Sequence, residues 1–265
     1  MQARPILAAA ALVAGATAFA APRSPTTTFR YKVNATNHQV IDLSAVGQPE
    51  QVTHLVTTTF VTVVSTDSAG GRAVKVIIDS ARADTVQSPQ PLSPATFDSL
   101  RGATATGWVA PNGQIRDVKW TDPRSAPISG VLRALFPRMD PRAKVGDRWT
   151  DTTESAGESE GMPPGTSMRR VTNWSVTGEQ NVNGVKARRV ESAYSQSISG
   201  EIPAGGGTMA IDGTGSGTAT TLVAPDGRQL GSNSTLTMTL SLTVPQVPEP
   251  LPLNLTTTVV VNPIR

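Results

Sequence analysis

The segment STLTMTLSLTV, Ser234 to Val244, alternates with a period of two over its whole length. Leu236, Met238, Leu240, Leu242 and Val244 fall on one side. Thr235, Thr237, Thr239, Ser241 and Thr243 fall on the other. Successive side chains of a strand point to opposite faces, so this pattern predicts an antiparallel strand with one apolar and one polar face. The same phase recurs in LNLTTTVVV from Leu253, where Leu253, Leu255, Val259 and Val261 align. Near the start, Phe29, Tyr31 and Val33 alternate with Arg30, Lys32 and Asn34. His54–Val64 and Ala73–Ile78 also read as strands, and the polar segment between them, with Gly70-Gly71, predicts a hairpin.

Composition agrees with this pattern. Aromatic residues make up 4% of the chain and charged residues 16%, while 23 Gly and 21 Pro punctuate it. Abundant Thr and Val suit a pleated, half-buried surface, and Gly and Pro mark the turns between strands. The expected fold is all-β with one or two short helices, as a strongly curved antiparallel sheet or open half-barrel.

One phrase occurs twice. TATGWVAPNGQI begins at Thr104 and TATTLVAPDGRQL at Thr218. In each, Ala-Pro-Asn/Asp-Gly is a turn: Pro presets φ and Gly takes a positive φ later, so each phrase is a hairpin. Upstream, TVVSTDSAGGRAVKV from Thr62 lines up with SVTGEQNVNGVKARRV from Ser175 at nearly the same offset. This order predicts two pseudo-repeats, about 26–140 and 145–265, each completing the other's sheet.

Between the halves, SAPISGVLRALFP carries Ile128, Val131, Leu132, Leu135 and Phe136 at helical spacing. Ser125 can cap its start, Pro127 suits the first turn and Pro137 stops it, which predicts a helix over about 126–136. Its apolar stripe packs either on the core or as a lid over a hydrophobic groove. Val131, Leu132, Leu135 and Phe136 are the candidate lid residues; Leu236, Met238 and Leu240 are the candidate groove lining. A shorter helical turn is expected in SPATFDSL, near Ser93. DTTESAGESEGMPPGTS, from Asp151, reads as a long polar loop. The Pro-rich VPQVPEPLPLNL, from Val244, reads as an extended connection into the last strand.

The ends bound the compartment. Arg4, an apolar run from Ile6 to Phe19 and the small-x-small Ala18-Phe19-Ala20 form an export signal, with cleavage expected after Ala20. Residues 21–265 then form a single exported β-rich domain, periplasmic or extracellular and not integral to the membrane. The chain has no cysteine, so it offers no disulfide frame, thiolate site or lipid-modified N-terminal Cys. The formal net charge is +3 with no Lys/Arg block, which leaves no nucleic-acid footprint. A transmembrane barrel would carry aromatic girdles at both interfaces, and the aromatic content is too low for them.

Chemical motifs are scarce. The two histidines, His38 and His54, match no metal spacing and read as ordinary strand or loop residues. No G-x-S-x-G, H-E-x-x-H or phosphate loop occurs. Asp140, Asp147, Asp151, Glu154, Glu158 and Glu160 are too irregularly spaced for a calcium loop. The sequence therefore points to no enzyme, no cofactor and no metal.

The junction LFPRMDPRAKVGDRW contains Phe136, Pro137, Pro141, Val145, Gly146, Asp147 and Trp149. It resembles a signature of uncharacterised exported bacterial β-proteins: a short helix, Phe-Pro, a spaced Pro, then Val-Gly-Asp-x-Trp. That architecture is similar to the open half-barrels of periplasmic lipoprotein carriers and mycobacterial lipid-binding lipoproteins. The resemblance implies an acyl chain or similar apolar ligand in a sheet concavity closed by helices, and fold alone does not imply function. The alternative is a structural or protein-interaction domain of the cell envelope, with a filled core and an envelope protein as partner. A cavity or a filled core beneath the helix separates the two readings.

Overall fold

The computed structural model describes residues 25–264, except 69, 90–93, 121–133, 137, 141, 157–163, 205–206 and 246. Eleven strands form one antiparallel sheet: β1 (Thr26–Ile41), β2 (Gln51–Ser68), β3 (Gly71–Gln87), β4 (Thr104–Val109), β5 (Ile115–Trp120), β6 (Arg148–Ala156), β7 (Thr166–Val182), β8 (Val185–Ala204), β9 (Gly207–Val223), β10 (Gln229–Thr243) and β11 (Leu251–Ile264). The spatial order is β5-β4-β3-β2-β1-β11-β10-β9-β8-β7-β6. The chain's first and last strands therefore pair at the centre, with Val33 opposite Val261 and Ile41 opposite Leu253. The two ends of the sheet, β5 and β6, are not paired to each other, so the sheet stays open.

The predicted alternation is what the register exploits. Leu236, Met238 and Leu240 lie opposite Thr257, Leu255 and Leu253, on the face that also carries Tyr31, Val33 and Val61. Thr235, Thr237 and Thr239 share the other face with Thr218, Ser216 and Thr214 of β9. That second face is a field of hydroxyls laced by bonds such as Thr239 Oγ1 to Asn254 Oδ1 at 3.1 Å.

The apolar face is concave. Arg72 Nη1 of β3 donates to the carbonyl of Asp226, in the β9–β10 turn, at 3.3 Å. In a flat sheet, strands spaced about 4.8 Å apart would place β3 and β10 roughly 19 Å from each other. Only strong coiling brings that turn over β3. Tyr31 Oη donates to the carbonyl of Gln229 at 3.3 Å, and the Arg228 guanidinium stands 4.8 Å over the Phe29 ring, along the same line of closure.

The two repeated phrases fold into turns with matching bonds. Ala110 N donates to Gln114 O and Gly113 N to Ala110 O, both at 2.9 Å. Ala224 N donates to Arg228 O at 2.8 Å and Gly227 N to Ala224 O at 2.9 Å. The Asn112 and Asp226 side chains each accept from the backbone N–H two residues on, at 3.1 and 3.0 Å. Gly113 and Gly227 take φ of 78° and 79°. The shared residues dictate this: a short polar side chain closes an Asx turn, and only Gly enters the left-handed region without strain.

A short helix, α1 (Pro94–Asp98), lies where a helical turn is expected. Phe97 and the following Leu100 and Ala103 pack on Ile78 and Ala81 of β3. Two expectations need correction. The polar loop read from Asp151 begins later, because 151–156 belong to β6, whose exposed and half-buried residues alternate. The last strand begins at Leu251 and includes Pro252, whose carbonyl accepts from Asp42 N at 2.9 Å. A proline is tolerated at that second position because the strand is only starting to pair there.

Candidate functional site

The concave face carries two main apolar clusters at opposite ends of the central strands. One contains Tyr31, Val33, Val61, Val63, Val76, Ala105, Leu135 and Val261, with Phe136 packed against it. The other contains Met168, Ile198, Ile211, Met238, Leu240 and Leu253, with Leu236 packed against it. The candidate lid residues Leu135 and Phe136 thus belong to one cluster and the candidate groove residues Leu236, Met238 and Leu240 to the other. Val131 and Leu132, with most of the predicted helix, lie outside the described residues.

Leu135 is 3% exposed. The space it shares with Phe29, Tyr31, Phe136, Arg228 and Gln229 is about 20 Å³. That is room for a single water molecule, against the hundreds of Å³ that a ligand pocket takes. After Leu135 the chain crosses to the second half, where Met139 and Ala143 pack on Val176, Val190 and Val223, flanked by Trp149 and Trp174. The described residues of the linker thus pack on both halves, Leu135 and Phe136 on one and Met139 and Ala143 on the other.

Of the candidate groove residues, Met238 and Leu240 are equally packed, while Leu236 is half-buried. Met238 is 3% and Leu240 4% exposed. They owe this to three glycines on the inner face of β9. A Cβ on Gly215 would stand 2.5 Å from Met238 Cγ, and one on Gly213 or Gly217 would collide with Leu240 or Tyr194. The glycine stripe leaves β9 flat, and its neighbours' side chains lie across it.

Between the two clusters the concave face turns polar. Arg170 reaches Gln196 Oε1 through Nε at 3.0 Å and Nη2 at 2.7 Å, and its guanidinium stands 4.9 Å over the Tyr194 ring. Burial pushes the Arg170 pKa down and the Tyr194 pKa up, the latter opposed by the charge of Arg170. Among the described residues no carboxylate pairs with Arg170. Sequence pattern marks Arg170 only as a polar break in an apolar face; its neighbours are set by the β7–β8 register.

The acidic residues between the halves are each engaged locally. Asp140 accepts from Arg142 N, and that bond holds its carboxyl below the ordinary value. Asp147 accepts from Lys144 N at 2.7 Å, and Asp151 pairs with Arg138. A surface depression of about 550 Å³ beside Trp149 is lined by these residues, but its Arg138 and Arg142 already face Asp151 and Asp140. Among the described residues no group of three or more His, Asp or Glu converges as a metal cage.

The histidines are brought together, which their spacing of 16 residues hides. His38 of β1 and His54 of β2 are register partners on the convex face, with ring centroids 5.9 Å apart.

No protein-family model matches the chain, and no curated protein matches it. Among solved structures, the loop L8 deletion mutant of OmpT, an outer membrane protein of Vibrio cholerae, is similar to it at 9% identity. The TM-score is 0.23, with 90% of this chain and 99% of that chain covered. A likeness at that level carries no argument about fold or function.

Proposed function

We propose that this chain is an exported, non-catalytic β-module of the cell envelope that serves as a filled scaffold and meets protein partners through its surface. The observation that supports the reading is the close packing around Leu135, where the space left is about 20 Å³, too little for an acyl chain at that point. The burial of Met238 and Leu240 supports it from the other end of the concavity. The convex face, with hydroxyls at Thr218, Thr235 and Thr258 in one row, suits water rather than lipid, since a membrane barrel presents an apolar band outward. The outer edges of β5 and β6, at the two ends of the strand order, are where a partner strand can add. We read the matching hairpin orders as an internal duplication over about 26–140 and 145–265.

One observation favours a second reading. Arg170 is a half-buried cation on the concave face whose partners among the described residues, Gln196, Tyr194 and Met168, are all neutral. A buried charge without a counter-charge is costly, and the head group of an anionic amphiphile would supply one. The Phe136–Trp149 signature and its likeness to lipid-binding half-barrels point the same way.

Native mass spectrometry of the mature protein from an exporting host, with organic extraction of the same sample, separates the readings. An apo mass with no lipid in the extract is expected. A stoichiometric co-purifying amphiphile would replace the scaffold reading by the second.

A further inference from the structure

We infer that His38 and His54 form a two-histidine site for a divalent transition-metal ion on the convex face of the sheet. These are the chain's two histidines, and the fold places them directly opposite each other on adjacent strands. Their ring centroids are 5.9 Å apart and the planes are tilted by 59°, so the rings are not stacked. An ion bound to one nitrogen of each ring at about 2.1 Å, with ligands at tetrahedral or square-planar angles, holds two imidazole centroids roughly 4.5–5.3 Å apart. The observed 5.9 Å is within about 1 Å of that spacing, a difference that rotation of the two side chains closes with the backbone in place.

The surroundings favour a cation with a taste for imidazole. Across the sheet the row reads Thr256, His38, His54, Gln87. Asn254 and Thr258 flank Thr256, and Val52 and Val56 flank His54 on the same face. No Lys or Arg stands in these positions to repel a dication. No carboxylate stands there either, which turns away Mg²⁺ and Ca²⁺ because they need oxygen ligands. Neutral imidazoles suit Cu²⁺, Ni²⁺ and Zn²⁺, with Cu²⁺ the tightest by the usual order of affinities. Both strands are fixed by ladder pairing on either side, so the two donors are held before the ion arrives. Two protein ligands leave the remaining positions to water, so the ion is exchangeable rather than structural. This site is independent of the reading given above: it lies on the opposite face from Leu135, Met238 and Arg170.

The test uses the mature full-length chain without a histidine tag. ZnCl₂, NiCl₂ and CuCl₂ are titrated separately and followed by calorimetry and by the imidazole ¹H–¹⁵N signals. One ion per chain is expected, perturbing both rings together and raising the melting temperature. His38→Gln and His54→Gln should each weaken binding by roughly tenfold or more while leaving metal-free melting unchanged, since both sit on the solvent face. The inference is overturned if only one ring responds, if either variant binds as the parent does, or if metal merely cross-links two chains in sedimentation. A variant that melts differently without metal is replaced by His38→Asn or His54→Asn before affinity is compared.

Discussion

Arg72 and Asp226 meet at 3.3 Å, guanidinium to backbone carbonyl, with β2, β1 and β11 lying between β3 and β10. The contact joins a first-half strand to a second-half turn, and it exists because the sheet coils its apolar face inward. The turn it touches is one of two with the same sequence logic. Gly113→Ala and Gly227→Ala should each destabilise the fold by about 1–3 kcal/mol, because both glycines hold a left-handed φ that alanine resists. A Cβ on Gly227 would also stand 3.3 Å from Arg72 Nη2, so that variant should be the worse of the two in denaturant melts. Asn112→Asp and Asp226→Asn should be near neutral, since either side chain accepts the same backbone bond. An equal loss from all four would sink this account.

Gly215→Val should cost at least about 1–3 kcal/mol, the usual penalty for overpacking a core. The added Cβ would meet Met238 Cγ at 2.5 Å and the Thr237 carbonyl at 2.7 Å. Met238 can swing aside; the backbone carbonyl cannot. Urea unfolding is the measurement, and a stability equal to the parent's would mean that β9 and β10 are spaced more loosely than the register implies.

Leu135→Ala should destabilise by about 2–5 kcal/mol, the range for emptying a buried leucine site. Leu135→Glu should prevent folding, since it would bury a carboxylate among Tyr31, Val33 and Val61. If Leu135→Glu folds normally and changes only what co-purifies with the protein, Leu135 is a lid residue instead.

Tyr31 predicts an alkaline limit. Burial pushes its pKa from 10.0 to about 12, partly offset by Arg228. The folded state therefore keeps the phenolic proton after the unfolded chain has lost it. The contribution is intact below pH 10 and drains away as pH rises from 10 towards 12. Two pH units correspond to about 2–3 kcal/mol. Tyr194, also shifted up by burial, adds to the same loss. Melting curves between pH 9 and 12 should show Tyr31→Phe flatter than the parent; identical slopes would contradict the shift.

Arg170→Met tests the polar band. Replacing a buried charge that lacks a counter-charge by a hydrophobe of similar length is neutral or stabilising in many proteins. Unchanged or raised melting is expected. A marked loss of stability would show that Gln196 and Tyr194 compensate the cation fully, and would remove the ground for an anionic ligand there.

The alternation in 234–244 and in 253–261 made the strands, their buried faces and the all-β class legible, because a period of two is a local property of the chain. The Pro–Asn/Asp–Gly turns were legible for the same reason: each depends on four or five neighbouring residues. α1 could be placed near Ser93 from its own segment. What local pattern could not supply is who faces whom across strands. Leu135 and Met238, read from sequence as lid and lining of one groove, are assigned by the packing of the folded sheet to separate clusters. The glycines at 213, 215 and 217 read as weak strand residues until Leu240, Met238 and Tyr194 are seen lying over them. Arg170 acquires its neutral setting, and His38 its partner His54, only through pairing between strands. Secondary structure here follows from side-chain chemistry within a few residues; the site candidates depend on strand register and curvature, which are settled by the packing of the whole sheet.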